Sequence, residues 1–121
     1  MVRVLIVDDH LLFAEALEAI LSLDGRIEVV GRAGDGEQAV EIARALQPDV
    51  VLMDLSMPRA DGFAATRAIR AAHAEARILV LTGSAVTTDV ARAREAGANG
   101  YLTKDQIADD LIQAILEAGA S

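Results

Sequence analysis

The feature that most constrains this chain is a strict alternation of short apolar runs with segments of helical period. Val2–Val7, Ile27–Val30, Asp49–Met53, Ile78–Leu81 and Gly100–Thr103 read as strands. Runs such as Val50-Val51-Leu52-Met53 are apolar at every position, as a strand buried on both faces requires. Leu11–Leu23, Glu37–Leu46, Phe63–Ala72, Val86–Ala96 and Gln106–Ala118 read as helices, the first with Phe13, Leu17, Ile20 and Leu21 at helical spacing. Asp24-Gly25, Pro48 and Gly97 end helices, and Asp35-Gly36 and Asp61-Gly62 are turns. Alternation with short connections predicts an α/β fold: (βα)5, with a doubly wound, parallel, five-stranded sheet covered by helices on both faces.

Composition narrows the function. The 121 residues suit one domain, and at 53% hydrophobic they can fill one core. That core is aliphatic, since the aromatics are Phe13, Phe63 and Tyr101 alone. A net charge of −8 makes the segment a poor nucleic-acid binder, because such binding draws on Lys and Arg against phosphates. The absence of cysteine excludes disulfides, thiol catalysis and Cys-ligated metal, and fits a cytoplasmic protein. Asp8 and Asp9 cut the first apolar run too early for a membrane span or a signal peptide. The expectation is a soluble chain with no membrane partner.

In strands this apolar, the polar residues at their ends stand out. Asp8 and Asp9 follow strand one, Asp54 strand three, Thr82 strand four and Lys104 strand five. All lie at carboxyl ends of parallel strands, hence on one edge of the sheet. Open parallel sheets bind ligands at that edge, where the strand order reverses. In a flavodoxin-like order, 2-1-3-4-5, the reversal lies between strands one and three, which carry the carboxylates. Each residue alone has a plainer reading. Asp8 or Asp9 suits a helix cap, Asp54 a turn before Pro58, and Lys104 a solvated charge, while Thr82 says little. Their coincidence on one edge favours a site.

The segments Val7-Asp8-Asp9-His10, Asp35-Gly36-Glu37-Gln38-Ala39, Val51 to Pro58, Asp61-Gly62, Leu81-Thr82-Gly83 and Gly97 to Lys104 carry a family resemblance. Over its whole length, residues 1–121, the chain resembles the receiver (CheY-like) domains of two-component response regulators. His10 after the acidic pair and Asp105 after Lys104 look like the NarL/FixJ (LuxR-type) subfamily. The resemblance implies that Asp54 is the phosphoacceptor and that Asp8, Asp9 and Asp54, with the Ser56 backbone carbonyl, hold Mg²⁺. It implies that Thr82 and Lys104 contact the phosphoryl group and that Tyr101 changes rotamer on activation. The implied partners are a sensor histidine kinase, a second copy on activation, and DNA only through an output domain beyond this chain. The kinase face would lie on the first helix around Leu11, Phe13, Ala14 and Leu17. Such a chain is a signalling switch that assists its own phosphorylation and dephosphorylation, not an enzyme.

The chemistry agrees with these assignments. Mg²⁺ prefers oxygen ligands, typically carboxylates, water and phosphate. With only His10 and His73 and no cysteine, zinc is disfavoured. A carboxylate can serve as a phosphoryl acceptor, and phosphoryl transfer asks mainly for positioning and charge stabilisation. No residue looks like a strong general base, which suits a phosphoryl group that persists. A haloacid-dehalogenase-type phosphatase would need Asp where Ser56 stands. A pseudo-receiver usually loses one of the acidic residues, Thr or Lys, and all are present here. A stand-alone receiver or a pseudo-receiver, acting as a protein-protein interaction module, stays open as the alternative. Many receivers have proline after the lysine; Asp105 stands here and is expected to cap the last helix. That helix carries Ile107, Leu111, Ile112, Ile115 and Leu116, a stripe wide enough either to pack fully or to meet a partner.

Overall fold

The computed structural model describes residues 1–55, 62–83 and 87–120, with side chains throughout except at 87–89. The elements follow in strict alternation: β1 (Val2–Val7), α1 (Leu11–Ser22), β2 (Ile27–Ala33), α2 (Gly36–Leu46), β3 (Val50–Asp54), α3 (Gly62–Ala72), β4 (Arg77–Thr82), α4 (Thr87–Ala96), β5 (Gly100–Thr103) and α5 (Ile107–Gly119). All pairings are parallel and the sheet order is β2-β1-β3-β4-β5, so the doubly wound (βα)5 expectation holds.

Alternate residues of the strands feed two cores. Val4, Ile6, Val50, Leu52, Leu79 and Leu81 face α1 and α5, where Leu17, Leu21, Leu111 and Ile115 complete one cluster. Leu5, Val7, Val51, Met53, Ile78 and Val80 face α2, α3 and α4. Burying each Leu, Ile or Val side chain contributes about 1.5–3 kcal/mol, so the central strands are the most stable part of the fold. The second cluster takes its helix side from Ala39, Ala43, Ala65, Ile69 and Ala93, and small residues let those helices lie close to the sheet.

Some boundaries differ from the sequence reading. β2 runs on through Gly31 to Ala33, three residues beyond Val30. A β-carbon on Gly31 would sit 3.2 Å from Ile42, so the glycine marks close passage of α2 rather than the strand's end. β3 takes in Asp54, which is in register with Leu81, and β4 takes in Thr82, in register with Thr103. A short 3₁₀ turn, Lys104–Gln106, precedes α5. The expected Asp105 cap is not formed. Instead Gln106 Oε1 reaches back to accept from the Thr103 N–H and hydroxyl, both at 2.9 Å, and Asp105 is exposed. The Lys104–Asp105 peptide is trans. In α5, Ile107, Leu111 and Ile115 are buried, while Ile112 and Leu116 are half-buried against the same cluster.

One side chain ties three elements together. Arg70, on α3, donates to Gly97 O (2.8 Å), Asn99 Oδ1 (2.7 Å), Ala74 O (2.8 Å) and Ala76 O. Asn99 Oδ1 also accepts from the Ile78 N–H of β4 at 2.8 Å. Gly97 ends α4 with φ of 115°, and a β-carbon there would lie 3.2 Å from the Arg70 stem. Glycine is needed both for the left-handed backbone and for the approach of the arginine.

Candidate functional site

The parallel pairing of β1 with β3 sets Val7 beside Met53, so Asp8 and Asp54 leave adjacent strands side by side. Asp8 and Asp54 are buried (5% and 2% exposed) and Asp9 is exposed. One carboxylate oxygen from each of the three lies within 4.8 Å of the others. β4 brings buried Thr82 to the same edge, and Lys104 follows β5. The Lys104 ammonium stands 3.4 Å from Asp54 Oδ1 and 3.5 Å from Oδ2. The structure thus brings Asp8, Asp9, Asp54, Thr82 and Lys104 to one edge of the sheet. Ser56, whose carbonyl was an expected ligand, lies outside the described residues.

Asp8 does not cap α1 by its side chain. Its Oδ1 accepts from the His10 N–H at 2.8 Å, and His10 is itself the first flanking residue of the helix. The Asp8 N–H is held by Ala33 O at 2.9 Å. These bonds fix the carboxylate, while its Oδ2 is buried with no hydrogen-bond partner among the described residues. Burial, joined by the neighbouring Asp54 carboxyl and opposed by the His10 N–H and the Lys104 charge, pushes the Asp8 carboxyl up to about 6. A buried carboxylate oxygen without a donor, beside two more carboxylates, fits a hard divalent cation. No histidine joins this carboxylate group among the described residues, and His73 Nε2 sits 3.0 Å from Pro48 O, at the opposite edge. A cavity of about 290 Å³ opens beside Asp8 and Asp9, between Leu11 and Arg32.

Two expected surface residues prove internal. Ala14 and Leu17 are 3% and 1% exposed and belong to the core, so they cannot form a kinase-facing surface. The exposed large apolar residues of α1 are Leu11 and Leu12, at 61% and 71%. Tyr101 is exposed on β5, the edge strand next to β4. Phe13 was expected in the apolar stripe of α1 and on the kinase face, and its ring centroid lies 4.5 Å from the Lys104 ammonium. No spacing rule links residues so far apart in the chain.

Comparison with known proteins agrees with this geometry. A family model described as response regulator receiver domain matches residues 4–116. The transcriptional regulatory protein DegU of Brevibacillus brevis is 40% identical over 114 residues, 94% of this chain and 48% of that protein. The nitrate/nitrite response regulator protein NarP of Escherichia coli is 42% identical over 98% of this chain and 54% of that protein. The chain thus spans about half the length of these curated relatives. Among solved structures, the signal receiver domain of the response regulator NarL from Mycobacterium tuberculosis superposes with a TM-score of 0.91 at 38% identity, covering 99% of this chain and 97% of that one. The response regulator domain of Thermotoga maritima CheB gives 0.91 at 31% identity, over 100% of this chain and 98% of that one. With the fold, the clustered strand-end residues and these matches in agreement, this chain belongs to the receiver domains of response regulators, with NarL- and DegU-type proteins among its relatives.

Proposed function

We propose that the chain is a phosphoacceptor switch, taking a phosphoryl group on Asp54 from a sensor histidine kinase. The observation that carries this reading is the buried Asp54 carboxylate between two further carboxylates and the Lys104 ammonium. An Asp54 oxygen attacks phosphorus as the P–N bond to the donor imidazole breaks, leaving an acyl phosphate and the free imidazole. Asp8, Asp9 and Asp54, with the Ser56 carbonyl, would hold Mg²⁺. When bound, the ion neutralises charge on the phosphoryl oxygens. Lys104, already paired with Asp54, meets the negative charge that develops, and the Thr82 hydroxyl donates to a phosphoryl oxygen. The carboxylates gathered here among the described residues, Asp8, Asp9 and Asp54, are all proposed metal ligands, which suits an acyl phosphate that persists.

Phosphorylation adds up to about two negative charges at Asp54. The Thr82 hydroxyl turns toward them, and Tyr101, exposed in this structure, turns inward into the space released. The surface of α4, β5 and α5 then changes, a two-state element biased by local charge. Residues 1–121 form the receiver, and the transcriptional regulators among its relatives favour an output in transcription, through a DNA-binding domain outside this chain. A second copy on activation is a further proposed partner.

The test is intact-mass measurement after incubation with Mg²⁺ and a small acyl-phosphate donor, with Asp54→Ala in parallel. One phosphoryl group gained, dependent on Mg²⁺ and absent in the variant, is the expected result. No gain in a folded wild-type chain would instead mark a pseudo-receiver acting through protein contacts.

A further inference from the structure

Lys104 has a second partner besides Asp54. Its ammonium lies 4.5 Å from the centroid of the Phe13 ring, on α1, while 3.4 Å from Asp54 Oδ1. Phe13 is half-buried against the cluster that α1 and α5 share with the sheet, so the ring is fixed by core packing. Lys104 is one-third exposed and begins the 3₁₀ turn, which sets its backbone but leaves a flexible four-carbon stem.

From this contact we infer that Phe13 is a positioning residue for phosphoryl transfer, holding the Lys104 ammonium over Asp54 by a cation–π interaction. The inference rests on the phosphoacceptor reading above. The choice of an aromatic ring matters. The ring face attracts the cation through its quadrupole, yet offers no oxygen lone pair to compete for the ammonium's three N–H donors. Those donors stay directed at Asp54 and at oxygens arriving there. A carboxylate in the same place would neutralise the lysine, and an aliphatic residue would leave its stem free to wander. Donors ordered before the reaction need no reorganisation during it, which is where electrostatic stabilisation gains most.

The test substitutes mono-, di- and trifluorophenylalanine at position 13. These keep the ring's shape while draining its negative face. The readouts are the rate of phosphoryl gain from a small acyl phosphate with Mg²⁺, the melting temperature, and the proton shift of the Lys104 ε-methylene. The expected rate falls stepwise, by about two- to fivefold at the trifluoro ring, with the melting temperature unchanged. Phe13→Leu falls at least as far and loses the upfield ring-current shift at Lys104, and Phe13→Tyr restores both. A rate indifferent to fluorination, in a wild-type chain that does take up phosphoryl, would overturn the inference alone. Absence of the ring-current shift in the wild type would do the same. A folded wild type that gains no phosphoryl group would remove the phosphoacceptor reading, and this inference with it.

Discussion

Asp8→Asn isolates the cost of the carboxylate cluster. Asp8 is buried and its carboxyl is raised from 3.8 to about 6, so the folded chain holds a proton that the unfolded chain releases. Stability from that proton is complete below the unfolded value and is lost as pH rises through about 6. Between about pH 4.5 and 7.5 the linkage relation gives a loss near 2 kcal/mol for this shift. Solvent on the open side of the site, next to exposed Asp9, screens part of it, which leaves about 1–2 kcal/mol. The asparagine variant cannot titrate. Urea denaturation without divalent cations should therefore find Asp8→Asn more stable than wild type at the upper pH. That advantage should shrink by about 1–2 kcal/mol at the lower pH. Using the difference between the two proteins cancels titrations common to both. A pH-independent difference, or one that grows as pH falls, would refute the argument that burial and the Asp54 carboxyl strain Asp8.

Mg²⁺ at about ten times its Kd should stabilise the wild type by about 1.4 kcal/mol. A melting temperature that ignores millimolar Mg²⁺ would count against the metal site. Asp54→Asn removes one of the crowded carboxylates, so without metal its melting temperature should exceed that of the wild type. Arg70→Met strands carbonyls at Ala76 and Gly97 and should cost about 2–3 kcal/mol in urea denaturation. Leu111→Ala empties a fully buried position between α5 and the sheet, and the same assay should show a loss of about 2–5 kcal/mol.

The sheet was legible because its central strands are buried on both faces, which leaves a run such as Val50–Met53 little choice but to be a strand. The site was legible for a related reason. At the ends of apolar strands the polar Asp8, Asp54 and Thr82 stand out, and topology alone brings them to one edge. What the sequence concealed depends on contacts between elements. Gly31 looked like a strand end because the tight approach of Ile42 cannot be seen from local pattern. In α1 the stripe of Phe13, Leu17, Ile20 and Leu21 does pack on the core, but Leu11 and Leu12 make the helix apolar on a second side, which spacing alone does not separate from the first. Ala14 and Leu17 were accordingly counted with Leu11 on the kinase face, although both are buried. The roles of Phe13 and Arg70 arise from partners on other elements, and neither residue type announces them.

The anchoring of Gly97 by Arg70 has a mechanical meaning for α4. Its C-terminal end is tied to α3 and, through Asn99, to β4, so that end is a fulcrum. A ten-residue helix is about 15 Å long. A tilt of about 10° about Gly97 would therefore carry the Thr87 end through about 2.6 Å, while the anchored end stays nearly still. Any displacement of this helix would be a lever stroke, largest at the end that follows Thr82 in the chain and smallest where the arginine grips it.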